Sequence, residues 1–126
     1  MGRANQARGA FGEELVARWY VARGYTVLDR NWRNGRMGEL DLVVADGNGV
    51  VVFCEVKTRA SAAFGHPFEA ITPDKLLRVR RLGLAWLAER GHRVPRLRVD
   101  VAAVLGAVVE VLEDVGARLS RGSPRG

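Results

Sequence analysis

Residues 50–56 (VVVFCEV) form a nearly unbroken apolar run, interrupted only by Glu55 and followed at once by Lys57. A run this short, rich in β-branched and aromatic side chains and free of glycine and proline, reads as a strand. Both of its alternating residue sets are apolar, so the strand must be covered on both faces and belongs in the middle of a sheet. A carboxylate and an ammonium in such a strand need partners, because buried charge is costly unless paired or coordinated.

The preceding residues supply candidate partners. Asp46-Gly47-Asn48-Gly49 is a hairpin turn, and Glu39 to Ala45 reads as the strand before it. Alternation puts Glu55 and Lys57 on one face, and Cys54 and Val56 on the other. Glu39 and Asp41 likewise share a face. If the hairpin brings those polar faces together, three carboxylates and one ammonium meet at one end of the sheet.

The remaining segments surround that hairpin. Gln6 to Arg23 is patterned as an amphipathic helix, with Leu15, Val16, Trp19 and Tyr20 at helical spacing and Gly24 as its stop. Tyr25 to Leu28 reads as a strand, and residues 31–38 (NWRNGRMG) as a basic turn. Residues 61–70 read as a loop. Thr72-Pro73-Asp74 is a helix start, with a hydroxyl cap and proline at the first helical position. That helix is expected to reach about Arg90, with Leu76, Leu77, Val79, Leu84 and Leu87 supplying its apolar surface. Arg96 to Val104 and Val108 to Leu112 read as a final strand pair turning near Gly106. The order implies an α/β fold, a three-layer α/β/α sandwich with a mixed central sheet. Residues 1–117 are expected to form one domain, and 118–126 a disordered basic tail.

Composition narrows the function classes. With 126 residues, 48% hydrophobic and 27% charged, the chain suits one folded domain and is too apolar for disorder. It has no apolar run near the roughly 20 residues of a membrane span, and its opening MGRANQARGAFGEE lacks the apolar core of a signal peptide. A cytoplasmic protein without membrane partners is the expectation. One cysteine, Cys54, excludes an internal disulfide or a thiolate zinc cluster. The net charge of +6 and pI near 10.6 allow a polyanionic partner. Of 20 basic residues only Lys57 and Lys75 are lysine. Where arginine is the default cation, a retained lysine hints at a need for a compact ammonium.

Paired carboxylates beside a lysine suit hydrolysis of phosphodiesters. A hard cation such as Mg²⁺ takes oxygen ligands and keeps waters, so Asp41 and Glu55 could hold it with substrate oxygens. The Lys57 ammonium cannot be a ligand while charged, but it can offset charge on a phosphate. Spacing alone leaves open an ordinary ion pair of Glu55 with Lys57 and a solvated Asp41. Glu39 could add a metal oxygen or bond to the turn around Arg36. Arg59 and Lys75 are candidate phosphate contacts, as are Arg33 and Arg36 in the basic segment. His66 and His92 have no partner at metal-ligand spacing, so zinc is not expected. Asp100 is expected to pair with an arginine or to support the site, Cys54 to point into the opposite core layer, and Trp19, Trp32 and Trp86 to serve the core, with base stacking open to Trp32 in its basic turn.

The run GELDLVVADGNGVVVFCEVKTR also resembles the PD-(D/E)xK nuclease signature, an acid on one strand and acid-x-lysine on the next. More closely, the chain is similar to the YraN-like family of small bacterial proteins. The matching residues are Gly12-Glu13, Gly24-Tyr25, Arg30-Asn31, Gly38 to Leu42, Phe53 to Arg59, and Phe64-Gly65 with Pro67. The resemblance implies a restriction-endonuclease-like fold, akin to archaeal Holliday-junction resolvases. It further implies Asp41 and Glu55 as metal ligands, Lys57 as the catalytic lysine and Glu13 as an additional acid near the metal. Leu40 stands where the short signature has proline. The implied activity is Mg²⁺- or Mn²⁺-dependent cleavage of DNA, more so than RNA, with branched or structured DNA among the implied substrates and a homodimer expected by analogy. The alternatives are a nucleic-acid-binding module of the same fold that does not cleave, or an interaction subunit in DNA repair or uptake.

Overall fold

In the computed structural model the chain forms, in order, α1 (Gly2–Ala22), β1 (Thr26–Asn34), β2 (Gly38–Ala45), β3 (Val50–Arg59), α2 (Pro73–Glu89), β4 (Arg96–Leu105) and β5 (Val108–Leu112). Short 3-10 turns occupy Gly35–Met37 and Pro67–Ala70. The structure describes residues 2–63, 65–91, 93 and 96–115; Phe64, His92 and the expected tail at 118–126 lie outside them.

The strands form one sheet in the order β1-β2-β3-β4-β5. All neighbours are antiparallel except β3 and β4, which run parallel from Val50↔Arg96 to Arg59↔Leu105. The parallel pair requires a crossover, and α2 supplies it. The apolar run therefore lies at the sheet's centre, and its alternation serves two cores. Val51 and Phe53 pack under α2 against Val79, Leu82, Trp86, Val99 and Val101. Val52, Cys54 and Val56 pack under α1 against Val16, Ala17, Tyr20, Ala102 and Val104. This is the expected three-layer α/β/α arrangement with a mixed sheet.

Two close approaches set the spacing of the layers. A Cβ on Gly83 would lie 2.7 Å from the Phe53 ring, so α2 presses directly onto β3. Phe53 in turn meets Trp86 edge to face, with centroids 5.8 Å apart. On the other face a Cβ on Gly12 would lie 2.2 Å from Thr58 Oγ1, so α1 rests on the end of β3.

Several boundaries differ from the sequence expectation. The first helix starts at Gly2 rather than near Gln6. The first strand is not confined to Tyr25–Leu28 but continues through Asn34, so only Gly35–Met37 remains of the expected turn. Pairing with β2 down to Asn34↔Gly38 overrides the local turn propensity. In α2 the buried stripe is Val79, Leu82, Gly83, Trp86 and Leu87, a helical i, i+3, i+4, i+7, i+8 set. Leu77 and Leu84, expected on the apolar surface, are 44% and 51% exposed because they sit a third of a turn or more from that stripe. Thr72 caps the helix as expected, its Oγ1 accepting from the Lys75 amide at 3.3 Å.

Asp100 is fully buried on the α1 side and does pair with an arginine. Arg98 donates to both of its oxygens at 2.9 Å, the Tyr20 hydroxyl donates at 2.5 Å and the Asp114 amide at 2.9 Å. Every lone-pair direction of the buried charge is thus met, which fixes the register of α1, β4 and the segment after β5. No helix among the described residues is long and apolar enough to cross a membrane.

Candidate active site

Asp41 sits where β2 leaves the ladder with β3 and where one pair is missing from the ladder with β1. The last pairing of β2 with β3 before Asp41 is Leu42↔Cys54. Beyond it, the Val56 amide donates to Asp41 Oδ2 at 2.8 Å, so a carboxylate takes the place of a ladder carbonyl. On the other edge, β1 pairs Arg30↔Leu42 and Trp32↔Leu40 but skips the intervening Asn31, whose φ is +51°. Asparagine is one of the few side chains that tolerates this left-handed backbone. The cores record the break as a one-residue slip in alternation. Leu40 and Val43 pack toward α2, whereas Leu42 and Val44 pack toward α1.

That break opens a small cleft of about 150 Å³. Its walls carry the acids Glu39, Asp41 and Glu55 and the cations Lys57, Lys75 and Arg78, over the apolar Val79 and Leu82. Lys57 Nζ lies 3.2 Å from Glu55 Oε2, the two side chains being 27% and 17% exposed. Lys75 Nζ donates to the Ala70 carbonyl at 2.7 Å, which aims it back across the first turn of α2. Glu39 pairs with Arg33 at 3.2 Å rather than bonding to the turn around Arg36. Arg36 is exposed in that turn, away from the acids that line the cleft.

Glu13 reaches the same electrostatic neighbourhood from α1. Because the helix starts at Gly2, Glu13 stands in its fourth turn and cannot be a capping acid. The Gly12–Thr58 approach brings this part of α1 against β3. Glu13 borders a second hollow with Lys57, Thr58 and Arg59, so Lys57 stands between the two depressions. The exposed Arg59 donates to the Thr58 carbonyl at 3.1 Å.

The acids raise one another's proton affinity. Burial pushes the Asp41 carboxyl up to about 7, and the nearby Glu55 adds to this. The Val56 amide opposes the rise, while Glu13 and Glu39 reinforce it. Glu13 is also raised, chiefly by burial, with the Asn31 side-chain hydrogen bond pulling against it and Glu39 pushing further up. A carboxylate whose neighbours are mostly carboxylates is one that a cation would relieve.

The donor set fits a hard divalent cation in a limited way. Among the described residues no three histidine, cysteine, aspartate or glutamate side chains form a ready cage. Mg²⁺ does not require one, since one or two carboxylates plus waters and substrate oxygens suffice. Asp41 and Glu55 could be those two, with Glu13 and Glu39 adding charge around them. Cys54 lies in the opposite core as expected, its thiol pushed far up by burial. His66 is engaged elsewhere, 3.0 Å from Glu110 and accepting from the Phe68 amide at 3.2 Å.

Sequence reasoning missed Asn31 and Arg78. In the sequence Asn31 stands in the basic turn-like segment and in the family-matching Arg30-Asn31 pair; its left-handed backbone inside a paired strand is seen only in the structure. Arg78 lies one helical turn beyond Lys75 in α2, and only the crossover direction of the helix brings it to the cleft.

Comparison with known proteins places this site in a family. The model of the uncharacterised protein family UPF0102 matches residues 12–104, a span that holds Glu13, Asp41, Glu55 and Lys57. A UPF0102 protein of Beutenbergia cavernae is 52% identical over 119 residues, covering 90% of this chain and 99% of the relative. One from Streptomyces coelicolor is 50% identical over 103 residues, covering 81% and 78%. Another from Frankia alni is 51% identical over 102 residues, covering 81% and 83%. The chain belongs to the uncharacterised protein family UPF0102.

Proposed function

We propose that this protein is a Mg²⁺- or Mn²⁺-dependent phosphodiesterase of the PD-(D/E)xK, restriction-endonuclease-like superfamily, acting on DNA of branched or otherwise structured form. The observation that carries this reading is the placement of Asp41 where β2 parts from β3, beside the Glu55–Lys57 pair. A structural aspartate would gain nothing from a site that raises its proton affinity. A ligand for a dication gains a neutralising charge there.

Asp41 and Glu55 would hold the cation through carboxylate oxygens, with Glu13 and Glu39 deepening the negative potential around it. When bound, the cation supplies Lewis-acid polarisation of the phosphoryl oxygen. The Lys57 ammonium, free to turn from Glu55 to a phosphate oxygen, offsets charge that develops on the phosphorane-like transition state. Glu13, with its raised proton affinity, is suited to accept the proton of the attacking water. Lys75 and Arg78 on α2, Arg33 near the end of β1 and Arg36 in the turn after it supply positive charge for the flanking backbone. A homodimer would present two such sites to a two-fold symmetric junction.

The test is cleavage of plasmid, single-stranded and four-way-junction DNA with Mn²⁺ or Mg²⁺, for wild type, Asp41→Asn and Lys57→Ala. Cleavage by wild type that both substitutions abolish is expected. Binding without cleavage on every substrate would replace this reading with a nucleic-acid-binding module. Unchanged activity in both variants would remove the site.

A further inference from the structure

A second hollow of about 410 Å³ lies on the α1 side of Lys57, within the range of about 300–1,000 Å³ common for ligand pockets. Its charged walls are Arg8, Lys57 and Arg59, against the single acid Glu13. The excess of cations marks it for an anion, in contrast to the acid-rich cleft next to it. Both depressions share Lys57, so a chain of phosphates held at Lys57 borders both.

Gly9 is the informative residue. It lies inside α1, where glycine weakens a helix relative to alanine. Gly12, three residues on, has a packing reason, because a Cβ would strike Thr58. Gly9 has none: a Cβ there meets nothing within 4 Å, and the residue lines the hollow. The fold does not require glycine at this position, but any side chain there would occupy the hollow.

We propose that this hollow is a nucleotide-sized subsite that holds the phosphate and sugar of the unit adjoining the scissile phosphodiester, with Gly9 keeping it open. Arg59 and Arg8 would contact the phosphate from either wall, and the bare α1 backbone would admit the sugar. The subsite rests on the phosphodiesterase reading for its direction along the strand, but its occupancy by a nucleic-acid strand is measured without catalysis.

The experiment is binding of a fluorescein-labelled oligonucleotide, single-stranded and duplex, at fixed salt, in Ca²⁺ and again in EDTA. Gly9→Ala and Gly9→Leu should weaken binding in order of side-chain size, with Gly9→Leu losing about ten-fold, the scale of one lost phosphate contact. Thermal stability of both variants should equal or exceed wild type, because the helix gains propensity and a Cβ at this position meets nothing within 4 Å. Ala10→Leu adds the same side chain to an exposed position of α1 and should leave binding within two-fold. Arg59→Gln should weaken binding and lower the slope of log affinity against log salt by about one. Unchanged binding in both Gly9→Leu and Arg59→Gln overturns the subsite, and so does absence of wild-type binding in either buffer. A 5′-mononucleotide that binds as tightly as the oligonucleotide overturns it in favour of a free-nucleotide site. If the Gly9 and Arg59 effects appear in a protein that cleaves nothing, the subsite stands and the phosphodiesterase reading falls.

Discussion

The Asp41 carboxylate accepts the Val56 amide at 2.8 Å, in the place where a regular antiparallel ladder would put a β2 carbonyl. This one bond lets the sheet open at an acid without leaving a central-strand amide unpaired. The charge is therefore held by backbone on one side and crowded by Glu55, Glu13 and Glu39 on the others.

A pH dependence follows from that crowding. The folded Asp41 carboxyl titrates near 7, above its ordinary value of 3.8. Below the ordinary value Asp41 is protonated in both states and folding pays nothing for it. As pH rises toward 7 the unfolded chain releases this proton while the folded chain retains it, so stability falls and levels off above the folded value. At about 1.4 kcal/mol per pH unit the loss is at most a few kcal/mol, reduced by water in the cleft. Asp41→Asn keeps an acceptor for Val56 and carries no charge. Its melting temperature relative to wild type should climb between about pH 4 and 7 and then hold steady. Parallel melting curves across that range would show that the Asp41 charge is not the destabilising group.

Divalent cation should reverse the same effect. At pH 8 millimolar Mg²⁺ or Mn²⁺ should raise the wild-type melting temperature, since ligand that binds only the folded state stabilises it. At pH 5, where Asp41 holds its proton, the rise should shrink, because a ligand must be deprotonated to bind. Asp41→Asn should show little rise at either pH. A rise of equal size in wild type and variant would move the cation to another part of the surface.

The Gly12–Thr58 approach is testable as a packing contact. Gly12→Ala places a methyl group 2.2 Å from Thr58 Oγ1 and should cost about 1–3 kcal/mol of stability despite the gain in helix propensity. Thr58→Ala removes that oxygen and should recover part of the loss in the double variant. Additive losses by urea denaturation would mean that α1 yields without meeting Thr58.

How far this organisation was legible in the sequence differs from element to element. Residues 50–56 announced a central strand because their apolar character has no helical period, and residues 46–49 announced the hairpin because the turn needs their glycines. Both signals are local. The extension of β1 through Asn34 was not legible, since it depends on pairing with β2 across a segment whose own composition favours a turn. Leu77 and Leu84 misled because leucine content was read ahead of phase, while the stripe through Gly83 and Trp86 fixes which side of α2 is covered. Glu55 and Lys57 could be placed by alternation alone, whereas the slip in alternation at Asp41, opposite Asn31, needed the paired strands. Arg78 and Gly9 needed the helices in place.

Asp100 offers a contrast between a structural charge and a candidate site charge. It lies on the α1 face of β4, under four hydrogen bonds from Arg98, Tyr20 and Asp114. Asp100→Ala should cost about 3–5 kcal/mol, because the largely buried Arg98 guanidinium loses both Asp100 oxygens and keeps only Tyr25 and the exposed Glu113. Arg98→Met in the same background should recover stability. Any surviving folded protein should keep its cation-dependent melting shift, since no Asp100 contact reaches the cleft. A stable Asp100→Ala variant that has lost the shift would tie this network to the site.

Lys57 separates charge from geometry. Its ammonium stands 3.2 Å from Glu55 and borders both depressions, so Lys57→Met should leave the cation-dependent melting shift in place while slowing DNA cleavage by about a hundred-fold or more, the usual scale for one lost electrostatic contact to a transition state. Lys57→Arg retains the charge but presents a planar fork where a compact ammonium fits beside Glu55. It should recover little of the rate and much of the oligonucleotide affinity. Single-turnover cleavage at saturating protein, read beside equilibrium binding, distinguishes the two effects. Full recovery of rate by arginine would make Lys57 a general phosphate contact rather than the group that meets the reacting phosphoryl oxygen.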